Sequence, residues 1–120
     1  MSRNKVLIIE DHDDNRELMK AIFCEWYDTE SCADGPSGLQ AIRKSLPDFV
    51  VLDVEMPGMD GFELGDLVKQ ARSELPVFLI TGRHELGDQQ RASGKGISGF
   101  FRKPFDGPAL LAAVGDALRS

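Results

Sequence analysis

Phe49-Val50-Val51-Leu52-Asp53-Val54-Glu55-Met56-Pro57-Gly58-Met59-Asp60-Gly61 is the stretch whose reading decides the fold. It opens on four bulky apolar residues in a row. Such a run suits a strand covered on both faces, as in a parallel sheet, since a strand with one wet face alternates. The run stops at the carboxylate of Asp53, and a Pro-Gly turn follows. A carboxylate bordering a buried strand needs a partner, because an unpaired buried charge is costly.

Working outward, similar short apolar runs occupy 6–9, 77–80 and 100–101, with a weaker one at 29–33. Helical patterns lie between them. Leu18, Met19, Ile22, Phe23 and Trp26 form one stripe behind candidate caps at Asp13 or Asp14. Pro36 opens a second helix carrying Leu39, Ile42 and Leu46, because proline fits a first turn whose N–H would be unpaired anyway. Leu64, Leu67, Val68 and Ala71 mark a third. Pro108 opens the last, with Leu110, Leu111, Val114 and Leu118 on one face. The stretch 85–93 is the poorest helix, with Gly87 inside it and only Leu86 and Ala92 as apolar content. A helix with so little to pack is expected to be short or mobile.

Five rounds of strand and helix predict an α/β fold with a parallel sheet and right-handed crossovers. The sequence holds 14 Lys+Arg against 20 Asp+Glu, a formal charge of −6, with 42% apolar residues. That suits one globular domain over residues 1–120. It argues against direct nucleic-acid binding, which needs clustered basic residues. No apolar run approaches the ~20 residues that span a bilayer, and the opening run is too short for a signal-peptide core. Cys24 and Cys32 form no CxxC or metal spacing, and read as reduced thiols of a cytoplasmic protein. Gly94-Lys95-Gly96-Ile97-Ser98-Gly99 matches a dinucleotide fingerprint by letter. It precedes a strand where that motif must follow one, so it is rejected.

In parallel sheets, ligands bind beyond the carboxyl ends of the strands. Those ends carry Glu10-Asp11, Asp53, Thr81-Gly82 and Lys103-Pro104. Taken singly, each has an ordinary reading as a loop acid, a cap or a solvated lysine. Together they bring three carboxylates, a hydroxyl and an ammonium to one edge. Crowded carboxylates must protonate, pair or bind a cation. Oxygen ligands alone favour a hard cation such as Mg²⁺, which bridges readily to phosphate oxygens. The set points to phosphoryl chemistry.

Over essentially its whole length the sequence resembles the receiver domain of bacterial two-component response regulators. The resemblance is carried by Leu7-Ile8-Ile9-Glu10-Asp11, by the stretch from Val51 to Gly61, by Pro76-Val77-Phe78-Leu79-Ile80-Thr81-Gly82, and by Gly99-Phe100-Phe101-Arg102-Lys103-Pro104-Phe105. It implies a flavodoxin-like three-layer fold, with a five-stranded parallel sheet ordered 2-1-3-4-5 and five helices. It implies that Asp53 accepts a phosphoryl group from a histidine on a sensor kinase or phosphotransfer protein. Glu10, Asp11, Asp53 and the main-chain carbonyl of Glu55 would hold Mg²⁺. Thr81 and Lys103 would contact phosphoryl oxygens, and Phe100 would change rotamer with the signal. The bond before Pro104 matches one that is usually cis in the family. The implied output surface joins the fourth helix, fifth strand and fifth helix, facing an output domain or target protein. Glu10 stands where aspartate is more frequent, and Phe100 replaces the tyrosine of some members.

Gly82 and Arg83 fall on the expected pocket rim. Glu55, two residues past Asp53, and Arg83, two past Thr81, are expected to flank the pocket with opposite charges. A pair across its mouth would hinder the water that hydrolyses an acyl phosphate, whereas two solvated side chains would do nothing. His12 is expected in a solvated loop near the acidic pair, and Trp26 and Tyr27 are expected to pack. Two other classes compete. A Mg²⁺-dependent phosphohydrolase would carry DxDx[TV] at the first strand end, but the nearest analogue, Asp53-Val54-Glu55, sits at the third. A non-phosphorylated interaction module would lack a pocket residue, and none is missing.

Overall fold

In the computed structural model of the protein, residues 3–56, 59–82, 97–103 and 106–119 are described. Strands β1 (Lys5–Ile9), β2 (Asp28–Cys32), β3 (Phe49–Asp53), β4 (Val77–Thr81) and β5 (Gly99–Arg102) form one sheet. All neighbours are parallel and the spatial order is β2-β1-β3-β4-β5. Helices α1 (Asp13–Phe23), α2 (Gly35–Ser45), α3 (Gly61–Ala71) and a C-terminal helix (Gly107–Arg119) connect and cover it. The expected fourth helix over 85–93 lies outside the described residues, as do Arg83 and the turn at Pro104-Phe105.

The strand period of two divides the apolar residues between two faces. Leu7, Ile9, Val50, Leu52, Val77 and Leu79 pack with Ile42 of α2 and with Phe62, Leu64 and Val68 of α3. Val6, Ile8, Phe49, Val51, Phe78 and Ile80 pack with Met19 and Phe23 of α1 and with Leu110 and Val114 of the C-terminal helix. On that second face Phe49 sits edge-on to three rings, with centroids 5.7 Å from Phe23, 5.0 Å from Tyr27 and 6.2 Å from Phe78. The layers are therefore helix, sheet and helix, as the uninterrupted apolar runs require.

Local chemistry sets the helix ends. Asp34 caps α2, its side chain accepting from the Ser37 N–H at 2.8 Å, with Pro36 in the first turn. Asp60 caps α3 by accepting from the Phe62 N–H at 2.8 Å. Gly61 is held where no side chain fits, since a Cβ there would fall 2.4 Å from the Val54 Cα and 2.8 Å from the Asp53 carbonyl oxygen. Asp13 and Asp14 do not cap α1. His12 holds that position without a side-chain bond, and the two acids lie in the first turn, where they still complement the helix dipole.

Several stripe assignments are corrected. Met19 and Phe23 face the core, whereas Leu18 is one step round the helix from Met19 and exposed. Trp26 lies beyond the last residue of α1, so the helical period no longer governs it, and it is 63% exposed rather than packed. Tyr27 does pack, against the second core. Leu46 follows α2 in a left-handed conformation (φ 49°), which turns its side chain into solvent. Leu67 on α3 is also exposed. Between β3 and α3 the chain forms a small antiparallel hairpin, Glu55–Met56 against Met59–Asp60, which no apolar periodicity announced.

Candidate functional site

Sheet register builds the site. Ile9 pairs with Leu52, Asp53 with Ile80, and Thr81 with Arg102. Glu10, Asp53, Thr81 and Lys103 thus leave their strands at nearly one level, on the carboxyl edge. The sheet order reverses direction between β1 and β3, so the crevice opens where Glu10 meets Asp53. Asp53 and Thr81 are the last residues of their strands and are buried, as is Glu10.

Lys103 joins the carboxylates across the sheet. Its Nζ lies 3.1 Å from Glu10 Oε1 and 3.4 Å from Asp53 Oδ2, donating to both. The Lys103 N–H also donates to the Thr81 carbonyl at 2.7 Å, which fixes the start of the side chain. The Glu55 N–H donates to Asp53 Oδ1 at 3.1 Å, so both oxygens of Asp53 are engaged. The Thr81 hydroxyl donates to Glu55 Oε1 at 3.1 Å.

One ammonium between two buried carboxylates leaves the cluster short of positive charge. Glu10 is pushed up to about 7, first by burial and then by the neighbouring Asp53 carboxyl, with Lys103 pulling the other way. Burial pulls the Lys103 ammonium down, but Asp53 and Glu10 together outweigh it and hold it above its ordinary value. Glu10, Asp11, His12 and Asp53 each offer a ligand atom, all within 4.8 Å of one another. Asp11 Oδ1 is buried and accepts no hydrogen bond from a described residue. The His12 Nδ1 lies 3.4 Å from it without hydrogen-bond geometry. An orphaned carboxylate oxygen among clustered acids is what a cation site looks like before its ion.

The sequence expectations divide cleanly. Glu10, Asp11, Asp53, Thr81 and Lys103 come to one edge, with Gly82 exposed beside them. Phe100 is half-buried and stacks on Phe62, with centroids 6.4 Å apart at 18°. Arg83 is outside the described residues, and the described partner of the Glu55 carboxylate is the Thr81 hydroxyl. His12 is exposed as expected, yet its N–H donates to Glu10 Oε2 at 3.3 Å. Arg16 is a further residue of this edge, which the strand-end rule does not reach. Its Nη1 donates to the Glu10 carbonyl at 3.0 Å, and its other arm pairs with Asp13. The available signal was an arginine one turn into the helix that follows the acidic pair.

The sequence matches the response regulator receiver domain over residues 6–115. It is 36% identical over 113 residues to response regulator PleD of Caulobacter vibrioides, covering 92% of this chain but 25% of PleD. It is 36% identical over 115 residues to sporulation initiation phosphotransferase F of Bacillus subtilis, covering 95% of this chain and 93% of that protein. The chemotaxis protein CheY4 of Vibrio cholerae superposes with a TM-score of 0.89 at 27% identity, covering 97% of this chain and 99% of that one. Among the described residues, no helix is long and apolar enough to cross a membrane. With the edge-on-edge convergence of Glu10, Asp53, Thr81 and Lys103 already seen, these matches make the chain a member of the response regulator receiver domain family, the signalling phosphoacceptors of two-component systems.

Proposed function

We propose that residues 1–120 form one receiver unit in which Asp53 is the phosphoacceptor. The observation that carries this is the single ammonium of Lys103 bridging Asp53 and Glu10 beside the orphaned Asp11 oxygen. Glu10, Asp11, Asp53 and the main-chain carbonyl of Glu55 would hold Mg²⁺. That set is all oxygen, which fits a hard cation that keeps some of its waters. When bound, Mg²⁺ offsets negative charge on a phosphoryl group.

An oxygen of Asp53 attacks the phosphorus of a phosphohistidine. The P–N bond breaks as the O–P bond forms, and the imidazole leaves with the electron pair. The product is an acyl phosphate on Asp53. Lys103 is already placed between two carboxylates, so its charge is in position without reorganisation, and positioning supplies most of the catalysis. Thr81 then turns toward a phosphoryl oxygen, and Phe100 repacks into the space it leaves. This is a shift between two packings of one fold. The donor is a cytoplasmic sensor histidine kinase or phosphotransfer protein. The responding face, around β5 and the C-terminal helix, meets an output domain or target protein. The domain catalyses only its own phosphorylation and slow dephosphorylation.

The test is intact-protein mass spectrometry after incubation with acetyl phosphate and Mg²⁺. A single phosphoryl addition is expected, absent without Mg²⁺ and absent in Asp53→Asn. An unmodified parent, or an Asp53→Asn variant labelled to the same extent, overturns the assignment. Multiple turnover of an aryl phosphate by catalytic amounts of protein would favour a phosphohydrolase instead.

A further inference from the structure

We infer that the Glu55 side chain is a positioning residue that holds the Thr81 hydroxyl away from Asp53 until a phosphoryl group arrives. The inference rests on Asp53 being the phosphoacceptor and adds a role for a carboxylate beyond the metal site.

Glu55 makes two contacts on this edge. Its N–H donates to Asp53 Oδ1 at 3.1 Å, and its Oε1 accepts from the Thr81 hydroxyl at 3.1 Å. Thr81 is fully buried, whereas Glu55 is exposed, so the contact draws a buried hydroxyl toward the mouth of the site. A Cβ on Gly82 would lie 3.4 Å from the same Oε1, which places the carboxylate directly against the backbone that follows β4.

A hydroxyl carries one proton. While Thr81 donates it to Glu55, it cannot donate it to an oxygen on Asp53. The acceptor is a carboxyl oxygen, a good partner for a hydroxyl donor. The active packing must break it before Thr81 can serve the phosphoryl group. An acyl phosphate on Asp53 adds negative charge close to the Glu55 carboxylate. Like charges then push Glu55 outward and release the hydroxyl. Glu55 thus biases the resting equilibrium and is itself displaced by the signal, which is the requirement for a two-state latch.

Substituting Glu55 leaves its main-chain carbonyl and N–H in place, and the side chain is exposed, so the variants should fold. The first measurement uses the metal-free, unphosphorylated protein with ¹³C-labelled threonine methyls. Three-bond couplings report the Thr81 rotamer. One rotamer is expected in the parent and in Glu55→Gln, which keeps an acceptor oxygen, and averaging is expected in Glu55→Ala. The second titrates beryllofluoride, a phosphoryl mimic, in the presence of Mg²⁺. Glu55→Ala should bind about three- to tenfold more tightly, the range of one net hydrogen bond. Charge removal alone could tighten binding, so the comparison is repeated in a Thr81→Ala background. There the gain should fall to less than half its size.

A fixed Thr81 rotamer in Glu55→Ala overturns the latch. So does an equal gain in both backgrounds, which would mean repulsion without a hydrogen bond. Failure of the parent to bind beryllofluoride would instead overturn the reading of Asp53, while the rotamer measurement still decides the latch.

Discussion

In β3, Phe49 to Leu52 feed their side chains into the two cores, whereas Asp53, next on the same strand, meets Glu10 and Lys103. β4 repeats the pattern, with Val77 to Ile80 in the cores and Thr81 at the rim. All ten positions of these two strands are buried, so burial alone does not distinguish them. The difference lies in what each side chain meets. The apolar positions find dispersion partners on all sides and stabilise the fold. At the rim Thr81 finds a carboxylate acceptor in Glu55, whereas Asp53 finds like charge in Glu10, which raises the energy of the metal-free state. The strands supply the rigidity that keeps repelling groups together, since few other supports would hold two buried carboxylates against one ammonium. Substitutions in the two regions should therefore move stability in opposite directions.

The largest effect belongs to the apolar side. Phe49 touches three rings and is fully buried. Phe49→Ala should cost about 3–5 kcal/mol, through lost transfer energy and the cavity left behind. Urea denaturation checks it, with the midpoint falling at constant slope. A loss below about 1 kcal/mol would mean that the aromatic cluster collapses around the gap, and that the interior is softer than its burial implies.

The rim should respond with the opposite sign. Burial and the Asp53 carboxyl push Glu10 up to about 7, against an ordinary value of 4.5. Between those values the folded chain keeps a proton that the unfolded chain releases. Metal-free stability must then fall as pH rises through that window, and level off above it. Glu10→Gln removes the repulsion with little change of shape. At pH 8 in EDTA it should stabilise by about 1–3 kcal/mol and flatten the slope between pH 5 and 7. Mg²⁺ should narrow the gain, because a cation that binds only the folded parent stabilises it by mass action. A destabilised Glu10→Gln variant would show that the Lys103 bond at 3.1 Å outweighs the repulsion, and the contrast between the two regions would fail.

How much of this was legible follows the same division. The strands were readable because an uninterrupted apolar run has few other uses, and their order followed from the resemblance. Asp53 was readable because it borders such a run. Glu10, Asp11, Thr81 and Lys103 followed from the rule that strand ends converge. Leu18 and Leu67 were misread within helices, at the margin of the buried stripe, and the other misses concern side chains that no period controls. Trp26 lies past the end of a helix, and Leu46 in a left-handed turn. Glu55 was placed near the pocket, but its pairing with Thr81 depends on how the hairpin at Glu55–Met56 turns the carboxylate, and local sequence does not encode that.

Asp34 offers the smallest and sharpest test, because it is an acid whose setting is the reverse of that of Glu10. It is exposed and caps α2. The hydrogen bond from the Ser37 backbone holds its carboxyl below the ordinary 3.8, where burial held Glu10 above its own. The folded chain therefore releases this proton more readily than the unfolded chain. Its contribution is present above the unfolded value and is lost as pH falls through the folded one, a slope of opposite sign to that of Glu10. Asp34→Ala should lower Tm by a few degrees at pH 7 through the lost cap. The deficit should shrink in strong acid, where the parent carboxylate is protonated too. Asp34→Ser should restore most of it, since a hydroxyl also accepts from that N–H. If the deficit persists unchanged at acid pH, the cap acts through shape rather than charge. Acids of this chain would then be sorted by packing alone, and the sign reversal between the helix end and the sheet rim would need another cause.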